Sequence, residues 1–206
     1  MHKALKAAGR PQDAAILTAV SKSQPWDAVE PVLKAGQRRF GENRVQEAQE
    51  RWGSVRAAYP DLEVRLIGPL QSNKAADAVA FFDVIESLDR DKIARAVADE
   101  MQAQGRVPVV YVQVNIGEEP QKAGILPLEA DAFLKAARES YGLNVAGLMC
   151  IPPVEGPRGP YFALLGRIAA RNGIGHLSMG MSDDYETAIA FGSTEIRVGS
   201  AIFDVR

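Results

Sequence analysis

The sequence predicts a single-domain (β/α)8 barrel of the α/β class. Short runs rich in Val, Ile and Leu alternate with longer stretches of helical period, which is typical of strand–helix units around a parallel sheet. Eight such runs and seven helical stretches fit into 206 residues without a low-complexity linker, so residues 1–206 are expected to form one small domain. A doubly wound open sheet is the alternative, but no G-x-G-x-x-G follows the first strand, which argues against its dinucleotide-binding form.

Each predicted strand is a short apolar run, and each except the last is followed by a stretch of helical period. The strands are expected at residues 15–21, 38–42, 63–68, 83–88, 107–115, 144–151, 175–180 and 195–200. The helices are expected at residues 26–35, 43–58, 72–80, 90–104, 127–140, 158–172 and 183–191. Three of these helices follow residues that are predicted N-caps: Ser72, Asp89 and Ser182.

The composition argues against several classes of function. A net charge of -2 and a sequence pI of about 5.8 offer no basic excess that could hold a nucleic acid or an anionic membrane. The single cysteine, Cys150, cannot form an internal disulfide, and the two histidines, His2 and His176, do not form a zinc-binding spacing. The N-terminal segment lacks the apolar centre of a signal peptide, and no apolar run reaches the ~18 residues of a membrane span. We therefore expect a cytoplasmic protein that binds no metal.

Polar residues follow several predicted strands, and in a barrel the C-terminal strand ends meet at the rim that carries the active site. Lys22 follows the first strand, where an amine extending into solvent is the simpler interpretation and a neutral, nucleophilic lysine is the other. Ser178 and Ser200 belong to the last two strands, whose loops frequently bind phosphate, although helix capping is an alternative role for both. Arg197 lies in an apolar stretch and needs an acceptor, which is either a ligand or a structural carboxylate.

Five segments, in order, carry a resemblance to a known family: "AVSKSQP", "FGENRVQEA", "LIGPLQSNK", "GLMCIPP" and "LSMGMSDDYETAIAFGSTEIRVGSAIF". Together they resemble the pyridoxal phosphate homeostasis protein family, and the resemblance runs from about residue 14 to residue 206. It implies a barrel like the N-terminal domain of alanine racemase. It also implies that Lys22 forms a Schiff base with pyridoxal 5′-phosphate and that Arg197 faces the pyridine nitrogen. The other positions that the resemblance assigns to the cofactor are Asn43 beside the ring, Met179 packed close to it, and Ser178, Gly199 and Ser200 at the phosphate.

The resemblance implies a protein that binds, buffers and hands over the cofactor, affects amino-acid and keto-acid balance, and is not an enzyme. Racemases of similar fold need a second, β-rich domain, and this sequence ends six residues after Ser200. A small pyridoxal phosphate-dependent racemase or lyase is the first alternative, and a Schiff-base aldolase without the cofactor is the second. We expect a monomer whose partners are the cofactor and the apoenzymes that receive it. Arg65 and Glu86 stand where histidine is common in the family, and no functional role is predicted from Glu86.

Overall fold

The computed structural model describes residues 1–203, so residues 204–206 of the predicted domain lie outside the described residues. All eight predicted strands are present, and each lies inside its predicted range. Their bounds are β1 Ile16–Val20, β2 Arg39–Glu42, β3 Glu63–Leu66, β4 Val84–Leu88, β5 Val109–Val114, β6 Val145–Cys150, β7 His176–Ser178 and β8 Glu195–Val198. The predicted ranges of several strands were too long because the polar residues that follow these strands leave the hydrogen-bonded ladder and form the rim.

The eight strands form a closed barrel in which every pairing is parallel and follows chain order. The barrel closes where β1 pairs with β8, from Ile16 opposite Glu195 to Ala19 opposite Val198. This closure confirms the predicted (β/α)8 barrel and excludes the open doubly wound sheet.

Helices connect consecutive strands and cover the outside of the barrel. Their bounds are α1 His2–Ala7, α2 Trp26–Lys34, α3 Val45–Trp52, α4 Ala75–Phe81, α5 Asp91–Gln104, α6 Ala130–Glu139, α7 Gly159–Arg171, α8 Tyr185–Ala190 and α9 Ser200–Phe203, with short 3-10 turns at Arg56–Ala58 and Ser72–Lys74. The seven predicted helices are confirmed as α2 to α8. Their apolar faces pack against the outward side chains of the strands, as Trp52 of α3 does against Phe40 of β2 at 4.6 Å between ring centroids.

Two helices and three caps differ from the predictions. Helix α1 was not predicted, and its buried Leu5 joins a second small core with Ile189 of α8 and Ile196 of β8. Helix α9, which begins at Ser200, was not predicted either. The predicted N-caps are wrong because none of α4, α5 and α8 has a side-chain cap hydrogen bond.

The interior of the barrel is polar rather than apolar. Side chains alternate between the two faces of a strand, and in this barrel the outward ones form the hydrophobic core with the helices. The inward ones include six buried polar or charged residues that hydrogen-bond to one another across the barrel: Thr18, Arg65, Glu86, Ser178, Glu195 and Arg197. The candidate site described next lies directly above this cluster.

Candidate functional site

A cavity of about 530 Å³ opens at the C-terminal ends of the strands. Five of the seven predicted site residues line it, namely Lys22, Asn43, Arg197, Gly199 and Ser200. They come from both ends of the sequence, and the pairing of β1 with β8 brings them together. The cavity therefore occupies the position at which barrels commonly bind ligands.

Lys22 lies in a tight turn that the neighbouring strand holds in place. The turn follows β1, and the N–H of Gln24 donates to the carbonyl of Ser21 at 3.1 Å. Ser23 takes a left-handed conformation with φ of 60°. The hydroxyl of Ser21 donates to Oε1 of the buried Glu42 at 2.6 Å, and its N–H donates to the carbonyl of Gly41 at 3.1 Å. The Lys22 backbone is thereby fixed, while its side chain lines the cavity.

Glu42 was not predicted as part of this arrangement. Its carboxylate is fully buried at the end of β2, and its Oε1 also accepts from the indole N–H of Trp52 at 3.0 Å. Burial raises the pKa of Glu42, and the hydrogen bonds from Ser21 and Trp52 oppose this rise. Glu42 thus joins the Lys22 turn to helix α3. A glutamate at the end of an apolar strand was the available signal for it in the sequence.

Arg197 forms part of the cavity floor and is 4% exposed. Its Nη1 donates to the hydroxyl of Ser178 at 2.7 Å, and its Nη2 donates to the carbonyl of Cys150 at 2.9 Å. A guanidinium carries five N–H donors, so these two bonds fix its plane and leave others for a ligand in the cavity. Arg197 is therefore an oriented cation with spare donors.

Below Arg197, a cluster of buried charges fills the interior of the barrel. Nη1 of Arg65 donates to Oε1 of Glu86 at 2.8 Å and to Oε2 of Glu195 at 2.5 Å. Thr18 donates to the other oxygen of Glu195 at 2.9 Å. Both carboxylates are at most 1% exposed, so each depends on Arg65 for its counter-charge.

The two carboxyl groups titrate as an interacting pair. Burial alone would raise the pKa of Glu86, but Arg65, together with hydrogen bonds and Arg197, lowers it below its usual value. Burial and the adjacent Glu86 raise the pKa of Glu195 well above its usual value. Glu86 is consequently the stronger acid of the pair, and Glu195 takes up a proton first as the pH falls.

Two predicted site residues do not reach the cavity wall. Ser178 is fully buried below it, where its hydroxyl donates to Oε2 of Glu86 at 2.6 Å and accepts from Arg197. Met179 is fully buried in the main hydrophobic core. The reason is that β7 ends at Ser178, two residues earlier than predicted, so the rim at this strand is formed by later residues.

Those later residues are Met181 and Ser182, which line the cavity and were not predicted as site residues. The segment depends on Gly180, which has φ of 99° and lies so close to Ala188 that an added Cβ would be 2.6 Å from it. The N–H of Met181 donates to the carboxylate of Asp184 at 2.6 Å, which holds the segment against α8. The second serine of "LSMGMS" was the signal for this part of the site in the sequence.

A second amine lines the opposite wall of the cavity. Lys122 belongs to the loop after β5, and its Nζ donates to the carbonyl of Pro152 at 3.0 Å. Asn115 holds this loop, because its amide nitrogen donates to the carbonyl of Glu119 at 2.8 Å while its amide oxygen accepts the N–H of the same residue. Lys122 is thus tied into its loop.

The structure adds two findings on other classes of function, both for residues 1–203 only. In this range, no helix combines the length and the apolar character that crossing a bilayer requires. No group of three or more His, Cys, Asp or Glu residues in the same range is arranged to hold a metal ion.

Comparisons with known proteins agree with the fold. The family model for the alanine racemase N-terminal domain matches residues 3–206. The pyridoxal phosphate homeostasis protein of Escherichia coli is 39% identical over 207 residues, covering 96% of this chain and 88% of that protein. The protein of the same name from Pseudomonas aeruginosa is 38% identical over 212 residues, covering 100% of this chain and 91% of that protein. The structure of PipY from Synechococcus elongatus with PLP bound has a TM-score of 0.84 and 34% identity, with 98% of this chain and 99% of that chain covered.

Proposed function

Because this chain belongs to the pyridoxal phosphate homeostasis protein family, we propose that it binds pyridoxal 5′-phosphate in the cavity at the barrel rim and holds it for other proteins. The observation that carries the proposal is that Lys22 and Arg197 line the same cavity. The aldehyde of the cofactor needs an amine to hold it covalently, which Lys22 offers. The pyridine nitrogen of the cofactor accepts a hydrogen bond, which Arg197 can donate. The protein of the same family with PLP bound, PipY, has the same fold over nearly the whole chain.

The residues present fit this cofactor in size and in chemistry. A cavity of about 530 Å³ lies within the range of small-ligand sites. Lys22 would attach the aldehyde through a Schiff base, and a spare N–H of Arg197 would donate to the ring nitrogen. Asn43 lies on the wall where the ring would lie. The positions proposed for the phosphate are the rim residues Gly199 and Ser200, joined by Met181 and Ser182. Ser178 acts in this arrangement by holding Arg197, and Met179 by packing beneath the rim.

We further propose that the protein holds the cofactor without turning over a substrate. Bound pyridoxal phosphate supplies an aldehyde that reacts with amines and a ring that withdraws electrons. With the cofactor bound, the cationic Arg197 at the ring nitrogen would keep that nitrogen unprotonated and so weaken the electron withdrawal. Tyr111, a buried tyrosine of β5, does not line the cavity; it contacts Arg65 and stacks on the exposed His176, and burial raises the pKa of its hydroxyl. It is therefore not available as an acid or base at the cavity.

A reserve of cofactor is useful only if the cofactor can leave, and the recipients in this proposal are apoenzymes in the cytoplasm. The cavity opens at the rim, so an amine from another molecule could enter it and take the place of Lys22 on the cofactor. The proposed unit is the monomer, which size-exclusion chromatography with light scattering would test.

The experiment that tests the binding site uses reduction with borohydride. Purified protein loaded with pyridoxal phosphate is reduced, digested and analysed by mass spectrometry. We expect one pyridoxyl adduct on Lys22, its loss in Lys22→Ala, and its retention in Lys122→Ala, which removes the other amine of the same cavity. An adduct on another residue, or none in folded protein, would contradict the site.

A separate measurement tests the absence of turnover. The loaded protein is incubated with a panel of L- and D-amino acids, and products are followed by chiral chromatography. We expect the visible spectrum to change as amines displace Lys22, with no enantiomer, keto acid or amine formed beyond a Lys22→Ala control. Catalytic product formation would instead support the racemase or lyase alternative.

A further inference from the structure

We propose that Glu86 positions Arg197 through Ser178 and thereby sets how tightly, and in which protonation state, the cofactor is held at Lys22. The inference rests on the proposed function, because it concerns the same cavity. The inference assigns a role to Glu86, for which the sequence predicted none. The three residues lie on β4, β7 and β8, so the link runs across the interior of the barrel.

The first step is the direction of two hydrogen bonds. The Ser178 hydroxyl has one proton, which it donates to Oε2 of Glu86 at 2.6 Å. The lone pairs of the same oxygen are then available to Arg197, whose Nη1 donates to it at 2.7 Å. Since Ser178 and Glu86 are fully buried, no solvent can replace either partner. Glu86 therefore decides which way the hydroxyl points and, with it, where the guanidinium lies.

The second step is charge. Arg65 donates to Glu86 at 2.8 Å and keeps this carboxylate ionised behind Arg197. A buried anion two hydrogen bonds away offsets part of the positive potential that Arg197 creates in the cavity. Without this anion, a positive charge on the nitrogen that joins Lys22 to the cofactor would be less stable. Glu86 is thus placed to influence both the geometry and the potential of the cavity.

A purely structural role for Glu86, as counter-ion of Arg65, makes a different prediction. In that case its replacement would change the stability of the fold and leave the properties of bound cofactor unaltered. Glu195 provides a matched control, because it is equally buried and accepts from the same Arg65 atom, but its carboxyl group makes no hydrogen bond to the Ser178 hydroxyl, whose partners are Glu86 and Arg197. Glu86→Gln and Glu195→Gln each remove one buried carboxylate from the same cluster.

The experiment titrates the visible absorption of the loaded protein between pH 5 and 10 and measures the cofactor dissociation constant by equilibrium dialysis. For E86Q we expect the midpoint of the spectral titration to fall by roughly one pH unit, as expected for the loss of one nearby charge. We also expect about tenfold weaker retention, which is the usual effect of losing one charge-assisted hydrogen bond. For E195Q both quantities should stay within about twofold of the wild type.

A second variant keeps the test decisive if E86Q does not fold. Ser178→Ala removes the link but leaves the ion pair of Glu86 with Arg65, and we expect it to weaken retention about as much as E86Q does. Wild-type retention and an unchanged titration in S178A would overturn the inference, as would equal effects of E86Q and E195Q. If wild-type protein carries no chromophore on Lys22, the proposed function fails instead, so the two failures are distinguishable.

Discussion

The buried charge cluster makes a quantitative prediction for Arg65→Met, which replaces the shared cation with an apolar chain of similar length. Arg65 is the hydrogen-bond donor to both Glu86 and Glu195, and these carboxylates are at most 1% exposed. Without the cation, two buried anions cannot remain ionised side by side. Arg65 is the main cause of the lowered pKa of Glu86, so its loss should raise this pKa above the unfolded value, and the folded variant should take up a proton at Glu86.

The free energy of this protonation depends on pH in a way that can be worked out. An unfolded glutamic acid has a pKa of 4.5, so protonating it costs about 3.4 kcal/mol at pH 7 and about 0.7 kcal/mol at pH 5. In the variant, the folded pKa of Glu86 lies above the unfolded value. Stability is then lost as the pH rises above about 4.5. This pH dependence of the free energy of unfolding has the opposite sign to that of the wild type. There the pKa of Glu86 is lowered, so its ionised form stabilises the fold above pH 4.5.

The assay is urea unfolding at pH 5, 6 and 7, followed by the fluorescence of Trp26 and Trp52. We expect Arg65→Met to lower the free energy of unfolding by about 3–5 kcal/mol at pH 7 and by about 2.7 kcal/mol less at pH 5. Arg171→Met is the control, because Arg171 forms an exposed ion pair with Asp131 and should cost less than about 1 kcal/mol at every pH. Equal losses at pH 5 and pH 7, or a loss below 1 kcal/mol at pH 7, would refute the account of the cluster.

Three further predictions concern other parts of the molecule. Gly68→Ala would place a Cβ against the backbone of Asn43, so cofactor retention measured by dialysis should fall at least tenfold, and unchanged retention would show that this wall can shift. Cys150 is fully buried, which raises its thiol pKa to about 12, so it should not react with a disulfide reagent at pH 8 unless urea is present; rapid labelling of the folded protein would contradict its burial. Leu5→Ala should cost about 2–4 kcal/mol of unfolding free energy because Leu5 anchors helix α1, and a loss below 1 kcal/mol would mean that α1 is dispensable.

The barrel could be predicted from the sequence because its signals are local. Each strand and each long helix has its own pattern of apolar residues, and the C-terminal strand ends of a barrel meet at one rim wherever they fall in the sequence. Lys22 and Arg197 were expected at the rim by that reasoning, and Asn43 by the family resemblance; all three line the cavity. Helix α1 was missed because six residues carry little periodicity, and its burial depends on α8.

The remaining errors come from features that no local pattern contains. Ser178 was assigned to the rim in place of Ser182 because the end of β7 was predicted two residues late; Ser178 is the last residue of the strand, inside the barrel, and the rim loop begins after it. The ion pairs of Arg65 depend on positions 86 and 195, which are distant in the sequence. Charged residues inside "EVRLIG", "VIESL" and "EIRVG" were the signal, and their partners became evident only once the barrel was closed.

The cluster inside the barrel also constrains how this sequence can vary. A histidine at position 86 would leave Arg65 with one buried carboxylate fewer and Arg197 with a different partner behind Ser178. We therefore expect exchanges at positions 65, 86, 178 and 195 to be tolerated as sets that keep Arg65 paired and Arg197 held in place, and not one at a time. A chimeric barrel that takes these four positions from different parents would bury a charged side chain without its partner. Related sequences should show the four positions changing together.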